Sequence, residues 1–368
     1  MRVSVLSGIC VKSDAISQAV LSSMRKLSVA LDTEPRLFTT SCSFPEVDSK
    51  IIQNTYRLAA DPWFNSSDLV VAHFGIYYEL FNVIPLIRPG AKVVCVFHNI
   101  TPKNLMGEAA ELAEISFEQL CNMEWADYVV CDSPTNLEVL REAGVQTPAS
   151  VVPIEVPLPP KVLHKPIQSG GRPQLFYVGR LVEAKGILDL VEAVAYVLGG
   201  DRNIEFDLTL AGNLALSDPG VVRAAELVLE TLNHAYSDRF HGRIEPSPTN
   251  ARRDEIFTTA DVFLLPSYHE GFGVPVIEAL GFGCRVVGYD NSNLPSVIAD
   301  CGVCVATGDV AALSVAIEEE LKLVTSDYWI RNGGFEEFAA KAHTHAAKFT
   351  PEVVSCEFDR VIEKVLHS

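Results

Sequence analysis

No apolar run in this sequence is long enough to span a bilayer. The opening stretch, MRVSVLSGICVKSD, begins as a short β-like run and lacks the apolar segment and small-residue cleavage site of a secretory signal. Both absences point to a cytoplasmic protein, with at most transient contact at the inner face of the membrane. Basic residues are also scarce. Lys and Arg number 29 against 47 Asp and Glu, giving a formal net charge of −18, which argues against a protein that grips nucleic-acid backbones. The nine cysteines are an odd number, in keeping with free thiols in a reducing compartment. One pair, Cys301 and Cys304 in DCGVCVATGD, matches C-x-x-C. Its second half runs on as a strand, with no helix N-terminus to stabilise a thiolate and no second pair to complete a zinc site. The pair reads as small residues at a strand start.

What the chain does have is size and apolar content: 368 residues, 48% of them hydrophobic, more than one core usually organises. Along the first 152 residues, RVSVL, RLFTT, LVVAHF, KVVCVF, YVVC and SVVPI alternate with helical stretches such as SQAVLSSMRKLSVAL and NLEVLREAG. Near-continuous apolar strands between amphipathic helices describe a parallel sheet covered on both faces. The pattern repeats with LFYVG, DLTLAG, RFHG, DVFLLP, RVVGYD and VCVA between helical stretches at 186–198, 221–235, 250–260, 275–282 and 310–323. The fold class is therefore α/β, with two Rossmann-like doubly wound domains facing a cleft. The domains are expected at 1–155 and 174–345, joined by a linker at 156–173 that holds five prolines and two glycines. A last helix at 346–368 is expected to pack back toward the first domain. Ligands of such sheets bind beyond the carboxyl ends of the strands.

Several informative residues fall there. FYVGRLVEAKG puts Gly179 and Arg180 directly after a strand and Lys185 at the start of a helix. Two cations beside a helix N-terminus suit a diphosphate. In LLPSYHEGFGVPVIEAL, Glu270 lies in a loop and Glu278 in the first turn of a helix whose first residue is Pro275. Gly271 and Gly273, on either side of Phe272, let backbone N–H groups approach an anion. Carboxylates beside bound phosphate repel it, so their role is to accept hydrogen bonds from sugar hydroxyls.

Glu270, seven residues, then Glu278 is the E-x7-E motif of retaining glycosyltransferases with the GT-B fold, and GRLVEAKG, LLPSYHEGFGVPVIEAL and SNLPSVIADCGVCV together resemble glycosyltransferase family 4 over most of 174–305. The resemblance implies that Glu270 contacts the donor sugar and Glu278 the nucleotide ribose. Arg180 and Lys185 would hold the diphosphate, and backbone near Arg243 and Ile244 would meet the base. In the first half, HNITP resembles a subset of the family in which the histidine matching His98 contacts the donor sugar; Asn99 follows it. The loop SGICVKSDAISQAV has only Gly8 where the family commonly has Gly-Gly, and resembles the D-A-I/V-S/G variant of that subset. Asp14 then either serves this loop or caps the following helix. His73, with Gly75 and Tyr77, follows another strand and either lines an acceptor pocket or packs. The stretch GEAAELAEISFEQLCNME, with Glu108, Glu111, Glu114, Glu118 and Glu124, is acidic where many relatives carry a basic amphipathic helix, and anionic lipid would repel it.

The implied reaction is a retaining transfer of a hexose from a nucleoside-diphosphate sugar to a hydroxyl of a glycan, a lipid-linked or a small-molecule acceptor, with the leaving phosphate oxygen taking the proton. No Asp-x-Asp pair occurs, so neither a metal nor another cofactor is expected; Arg180, Lys185 and the helix dipole would stabilise the leaving group. The expected partners are a nucleotide-sugar donor and a carbohydrate or glycolipid acceptor, with room for a homo-oligomer and without nucleic acid or stable membrane insertion. Competing readings are a non-catalytic sugar-nucleotide-binding subunit, a sugar-nucleotide epimerase and a phosphorylase. A dinucleotide-dependent dehydrogenase is weaker, because Gly271-x-Gly273 lacks its third glycine at Val276 and does not open a tight strand-to-helix turn.

Overall fold

The computed structural model describes residues 1–12, 14–159, 165 and 171–368. The chain divides into two compact units, one formed by Met1–Glu155 with Pro351–Ser368, the other by Val156–Thr350. Of the expected linker, 160–164 and 166–170 lie outside the described residues.

The first unit holds seven strands: β1 (Val3–Leu6), β2 (Arg36–Thr39), β3 (Ser49–Ile51), β4 (Leu69–Phe74), β5 (Lys92–Phe97), β6 (Tyr128–Cys131) and β7 (Ala149–Val151). They form one parallel sheet in the order β3-β2-β1-β4-β5-β6-β7. The central strands are apolar on both sides because both faces are covered; all six residues of β4 are buried. The helices are α1 (Ala15–Leu31), α2 (Thr55–Ala59), α3 (Ala110–Gln119) and α4 (Pro134–Glu142), joined by α13 (Pro351–Leu366) from the far end of the chain. Val354, Phe358, Ile362 and Val365 of α13 share a core with Val20 and Leu27 of α1 and Val71, Val94 and Val130 of the sheet. The acidic stretch is a helix only over α3, with 3₁₀ turns at Gly107–Ala109 and Leu120–Trp125.

The second unit holds β8 (Gln174–Val178), β9 (Phe206–Gly212), β10 (Phe240–Pro246), β11 (Val262–Leu265), β12 (Arg285–Tyr289) and β13 (Gly302–Val305). Its parallel sheet runs β10-β9-β8-β11-β12-β13. Counted from β8 this is 3-2-1-4-5-6, the doubly wound order whose topological switch point lies between the first and fourth strands. The helices are α5 (Ile187–Gly199), α6 (Pro219–Ala235), α7 (Asn250–Thr259), α8 (Val274–Gly281), α9 (Leu294–Ile298), α10 (Val310–Val324), α11 (Asp327–Arg331) and α12 (Gly334–Ala346). Phe176, Phe257 and Phe263 pack edge-on or tilted in its core. A two-bond ion pair from Arg285 to the buried Glu320, at 2.7 and 2.6 Å, ties β12 to α10.

The last helix starts at Pro351, later than the sequence pattern predicts. Residues up to Thr350 stay with the second unit, where Phe349 meets Phe272 edge-on and His345 bonds the Val297 carbonyl. All nine cysteines are free; Cys301 and Cys304 sit in a turn and in β13, and burial raises both thiols. No helix among the described residues is long and apolar enough to cross a membrane.

Candidate functional site

In the second unit, the segments after β8 and β11 converge at the switch point. Gly186, at φ +63°, is what lets them touch: a Cβ there would stand 2.0 Å from the Pro266 carbonyl oxygen. The Tyr268 N–H donates to the Ala184 carbonyl at 2.9 Å and locks the contact. As a result the Lys185 ammonium donates to Glu270 Oε1 at 2.5 Å, and Ser267 Oγ donates to the same oxygen at 2.9 Å. Both charged side chains are largely buried. Glu270 Oε2 has no partner among the described residues and stays available to a ligand hydroxyl.

Arg180 is exposed, and its guanidinium has no partner among the described residues. Its carbonyl accepts from the Tyr177 hydroxyl at 2.8 Å. Burial pushes that phenol well up; Glu270 adds to the rise and Arg180 opposes it, so the two charges flank one ring. The Gly179 N–H donates to the Ala211 carbonyl at 3.0 Å, holding the turn after β8 against β9.

Several sequence expectations need correction here. Helix α8 begins at Val274 with Gly273 at φ +98° as its N-cap, so Pro275 is its second residue and Glu278 lies in its second turn. Gly273 is at positive φ whereas Gly271 is not. Phe272 is buried against Phe349, so its side chain is core and only its backbone faces the loop. Strand β10 continues to Pro246, which places Arg243 and Ile244 inside the ladder, opposite Thr209 and Leu210 on this edge strand, rather than beyond its end. Arg243 pairs loosely with Glu245, at 3.7 Å. The Gly271-x-Gly273 segment follows the fourth strand of the sheet in topological order, whereas a dinucleotide fingerprint opens the turn after the first.

The structure also adds residues. Arg253 of α7 pairs with Glu278 Oε1 at 3.1 Å. Burial pushes the Glu278 carboxyl up, and Arg253 pulls it back. His269 is held down to about 4 by burial and is neutral near pH 7; its Nδ1 lies 3.1 Å from Ser292 Oγ, and its buried Nε2 is unpartnered. The loop after β12 braces the glutamate loop: Asn291 Nδ2 donates to the Ser267 carbonyl at 2.7 Å and Asn293 Nδ2 to that of Phe272 at 2.8 Å. Spacing gave no sign of Arg253, but the strand-end rule that picked out Glu270 reaches His269 equally.

In the first unit, His98 follows β5 and is engaged at both ring nitrogens. Nδ1 lies 2.6 Å from Asp132 Oδ2, and Nε2 lies 2.8 Å from His73 Nδ1. His98 is thus not an isolated donor, and His73 is its partner rather than a separate pocket residue. Burial, with help from His98 and Lys26, holds His73 well below the usual histidine range. Asn99 adopts φ +80°, and its buried Nδ2 has no partner among the described residues. Asp14 caps α1, its Oδ2 accepting from Ser17 N at 2.7 Å and Ser17 Oγ at 2.6 Å. The Gly8 carbonyl accepts from Thr40 N and from the hydroxyls of Thr39 and Thr40, and a Cβ at Gly8 would come within 3.1 Å of Tyr78. Asp132 escaped the sequence reading, although it follows YVVC as His98 follows KVVCVF.

Residues 162–333 match the family described as Glycosyl transferases group 1. The chain is 36% identical over 74 residues to O-antigen chain mannosyltransferase B of Escherichia coli, a stretch covering 20% of this chain and 19% of that protein. It is 26% identical over 289 residues to D-inositol 3-phosphate glycosyltransferase of Corynebacterium diphtheriae, covering 74% of this chain and 63% of that protein. The chain thus spans less than two thirds of the length of these relatives. Sucrose-phosphate synthase of Thermosynechococcus elongatus superposes with a TM-score of 0.73 at 18% identity, over 100% of this chain and 99% of that one. A likeness at that identity concerns the fold, namely two parallel-sheet α/β units as in GT-B glycosyltransferases.

Proposed function

We infer that the chain is a retaining, metal-independent glycosyltransferase that moves a hexose from a nucleoside-diphosphate sugar to a hydroxyl acceptor. The observation that carries this reading is the unpaired Arg180 guanidinium beside the Lys185–Glu270 pair at the switch point of the second sheet. Arg180 meets the diphosphate. Lys185 has three N–H donors and spends one on Glu270, leaving others for phosphate oxygens. Glu270 Oε2 accepts from a sugar hydroxyl, and Glu278, oriented by Arg253, accepts from the ribose. The bond from C1 to the leaving phosphate oxygen breaks and one from the acceptor oxygen to C1 forms on the same face. The acceptor proton passes to the departing phosphate. The two cations stabilise the charge that grows on the diphosphate, the task a metal performs in other transferases. The match to glycosyltransferase group 1 and the relatives named as glycosyltransferases support the reading.

Calorimetry with UDP, GDP and ADP, with and without magnesium, on the wild type and Arg180→Ala tests it. Magnesium-independent binding of one nucleotide, weakened in the variant, is the expected result and identifies the donor base; failure of all three to bind refutes the diphosphate site. The anomeric proton coupling of the product distinguishes retention from inversion.

A further inference from the structure

The ladder between β1 and β2 continues beyond the ends of both strands. Ser7 N donates to the Phe38 carbonyl at 3.1 Å, Thr40 N to that of Gly8 at 3.0 Å, Cys10 N to that of Ser41 at 2.8 Å and Ser43 N to that of Cys10 at 2.9 Å. The last two bonds set Cys10 directly opposite Cys42 in a parallel bridge. Residues opposed in this way project their side chains to the same face of the sheet. Both side chains join one hydrophobic cluster, where Cys10 is fully buried and Cys42 keeps part of its surface exposed.

Neighbouring strands run about 4.7–4.9 Å apart, inside the window of roughly 4.4–6.8 Å between Cα atoms that a disulfide spans. The other strand cysteines are placed differently. Cys95 stands opposite Ala72 and Val129, Cys131 opposite Phe97 and Cys304 opposite Gly288, so among the described residues Cys10 and Cys42 are the one pair of cysteines matched across a ladder. Their thiols also lie within hydrogen-bonding reach of each other. Burial first, then Cys42, pushes the Cys10 thiol up to about 12, and the Asp14 and Glu46 carboxylates add to the rise. Cys10 therefore stays protonated, and Cys42 is the thiol that a reagent meets first.

We propose that Cys10 and Cys42 form a reversible oxidation site, which a small-molecule disulfide converts to an intramolecular disulfide fastening the loop after β1 to the segment after β2. The Cys42 thiolate attacks one sulfur of the small disulfide and expels the other half as a thiolate. Cys10 gives up its proton to that thiolate and attacks Cys42 Sγ, expelling the second half, which takes up the proton that Cys42 lost. Two protein thiols are thereby oxidised to one disulfide, and one small disulfide is reduced to two thiols. Contact between the two sulfurs offsets the weak ionisation of Cys10 in the second step. The loop so fastened stands at the carboxyl end of β1, beside the topological switch point between β1 and β4, the edge where a doubly wound sheet meets its ligands. Neither the pair nor its oxidation depends on the transferase reading.

The test uses the full chain, first reduced and then incubated with oxidised glutathione. Free thiols are alkylated after denaturation, and tryptic peptides are mapped by mass. Two of the nine free thiols are expected to disappear, with peptides 3–12 and 37–50 joined through Cys10 and Cys42, and dithiothreitol restores both. The bond closes the loop between residues 10 and 42 and should raise the melting temperature by about 5–10 °C. Cys42→Ser should keep all of its remaining thiols free under the same treatment, and its reduced form should melt with the reduced wild type. Nine thiols still free, a lasting glutathione adduct at Cys42 without a bond to Cys10, or a disulfide between other cysteines overturns the proposal. The wild-type peptide map alone decides among these, whether or not the variant folds. A bond that forms without raising the melting temperature would refute the fastening of the loop.

Discussion

The Lys185 ammonium and the Glu270 carboxylate, 85 positions apart in the chain, meet at 2.5 Å because β8 and β11 are neighbours in the sheet. The pair gives Lys185 a structural role beside its proposed contact with the diphosphate, and sets it apart from Arg180, whose guanidinium has no partner among the described residues.

Lys185→Ala and Arg180→Ala should therefore separate in two measurements made together. Each is expected to lower the transfer rate by about 10²–10³, the effect of losing one preorganised charge or donor. Only Lys185→Ala should also lower the melting temperature, because it leaves the mostly buried Glu270 with Ser267 as its remaining side-chain partner. Equal melting temperatures for the two variants would show that the ion pair contributes nothing to the fold.

Arg253→Ala is expected to destabilise the second unit and weaken nucleotide binding. Breaking a fully buried pair costs about 3–5 kcal/mol, and the partial exposure of Arg253 brings the expectation down to about 1–3 kcal/mol. Burial already raises the Glu278 carboxyl, and loss of Arg253 raises it further. The deficit belongs to the ionised form, so it is full above that raised value and shrinks as the carboxylate takes up a proton. The gap in melting temperature between wild type and variant should narrow as pH falls from neutral toward the ordinary carboxylate range; a constant gap would place the effect of Arg253 elsewhere.

His269 gives the opposite pH dependence. Its folded-state value is depressed to about 4, below the ordinary value near 6.5. Between those limits the unfolded chain binds a proton that the folded chain does not, so stability is complete above about 6.5 and is lost as pH falls toward 4. His269→Gln should flatten the acid side of the stability profile by up to about 3 kcal/mol, read from denaturant unfolding at pH 4.5 and 7. An unchanged slope would mean that His269 is protonated in the folded protein.

Much of the architecture is legible in the order of residues. RVSVL, LVVAHF, KVVCVF, YVVC and DVFLLP become strands because parallel strands covered on both faces need unbroken apolar runs. Boundaries are less legible. RFHG reads as a four-residue strand with Arg243 and Ile244 beyond it, yet β10 extends to Pro246, as an edge strand can carry charged side chains toward solvent. The first turn of α8 shifts by one residue because Gly273 at positive φ, rather than an Asp or Ser, caps it.

By itself the sequence determined the strand and helix periods, the two-unit plan, and which residues stand just beyond strand ends: Arg180, Glu270, His98 and, by the same rule, Asp132. These depend on neighbours a few positions away, and local periodicity records them. Only the tertiary structure decided which of those residues meet. Strand order puts β8 beside β11 and β5 between β4 and β6, joining Lys185 to Glu270 and Asp132 to His98 to His73. Helix α7 returns Arg253 to Glu278 in the same way. A crossover connection can be long or short without altering the residues it brings together, so the pairings leave no mark in the spacing of the chain.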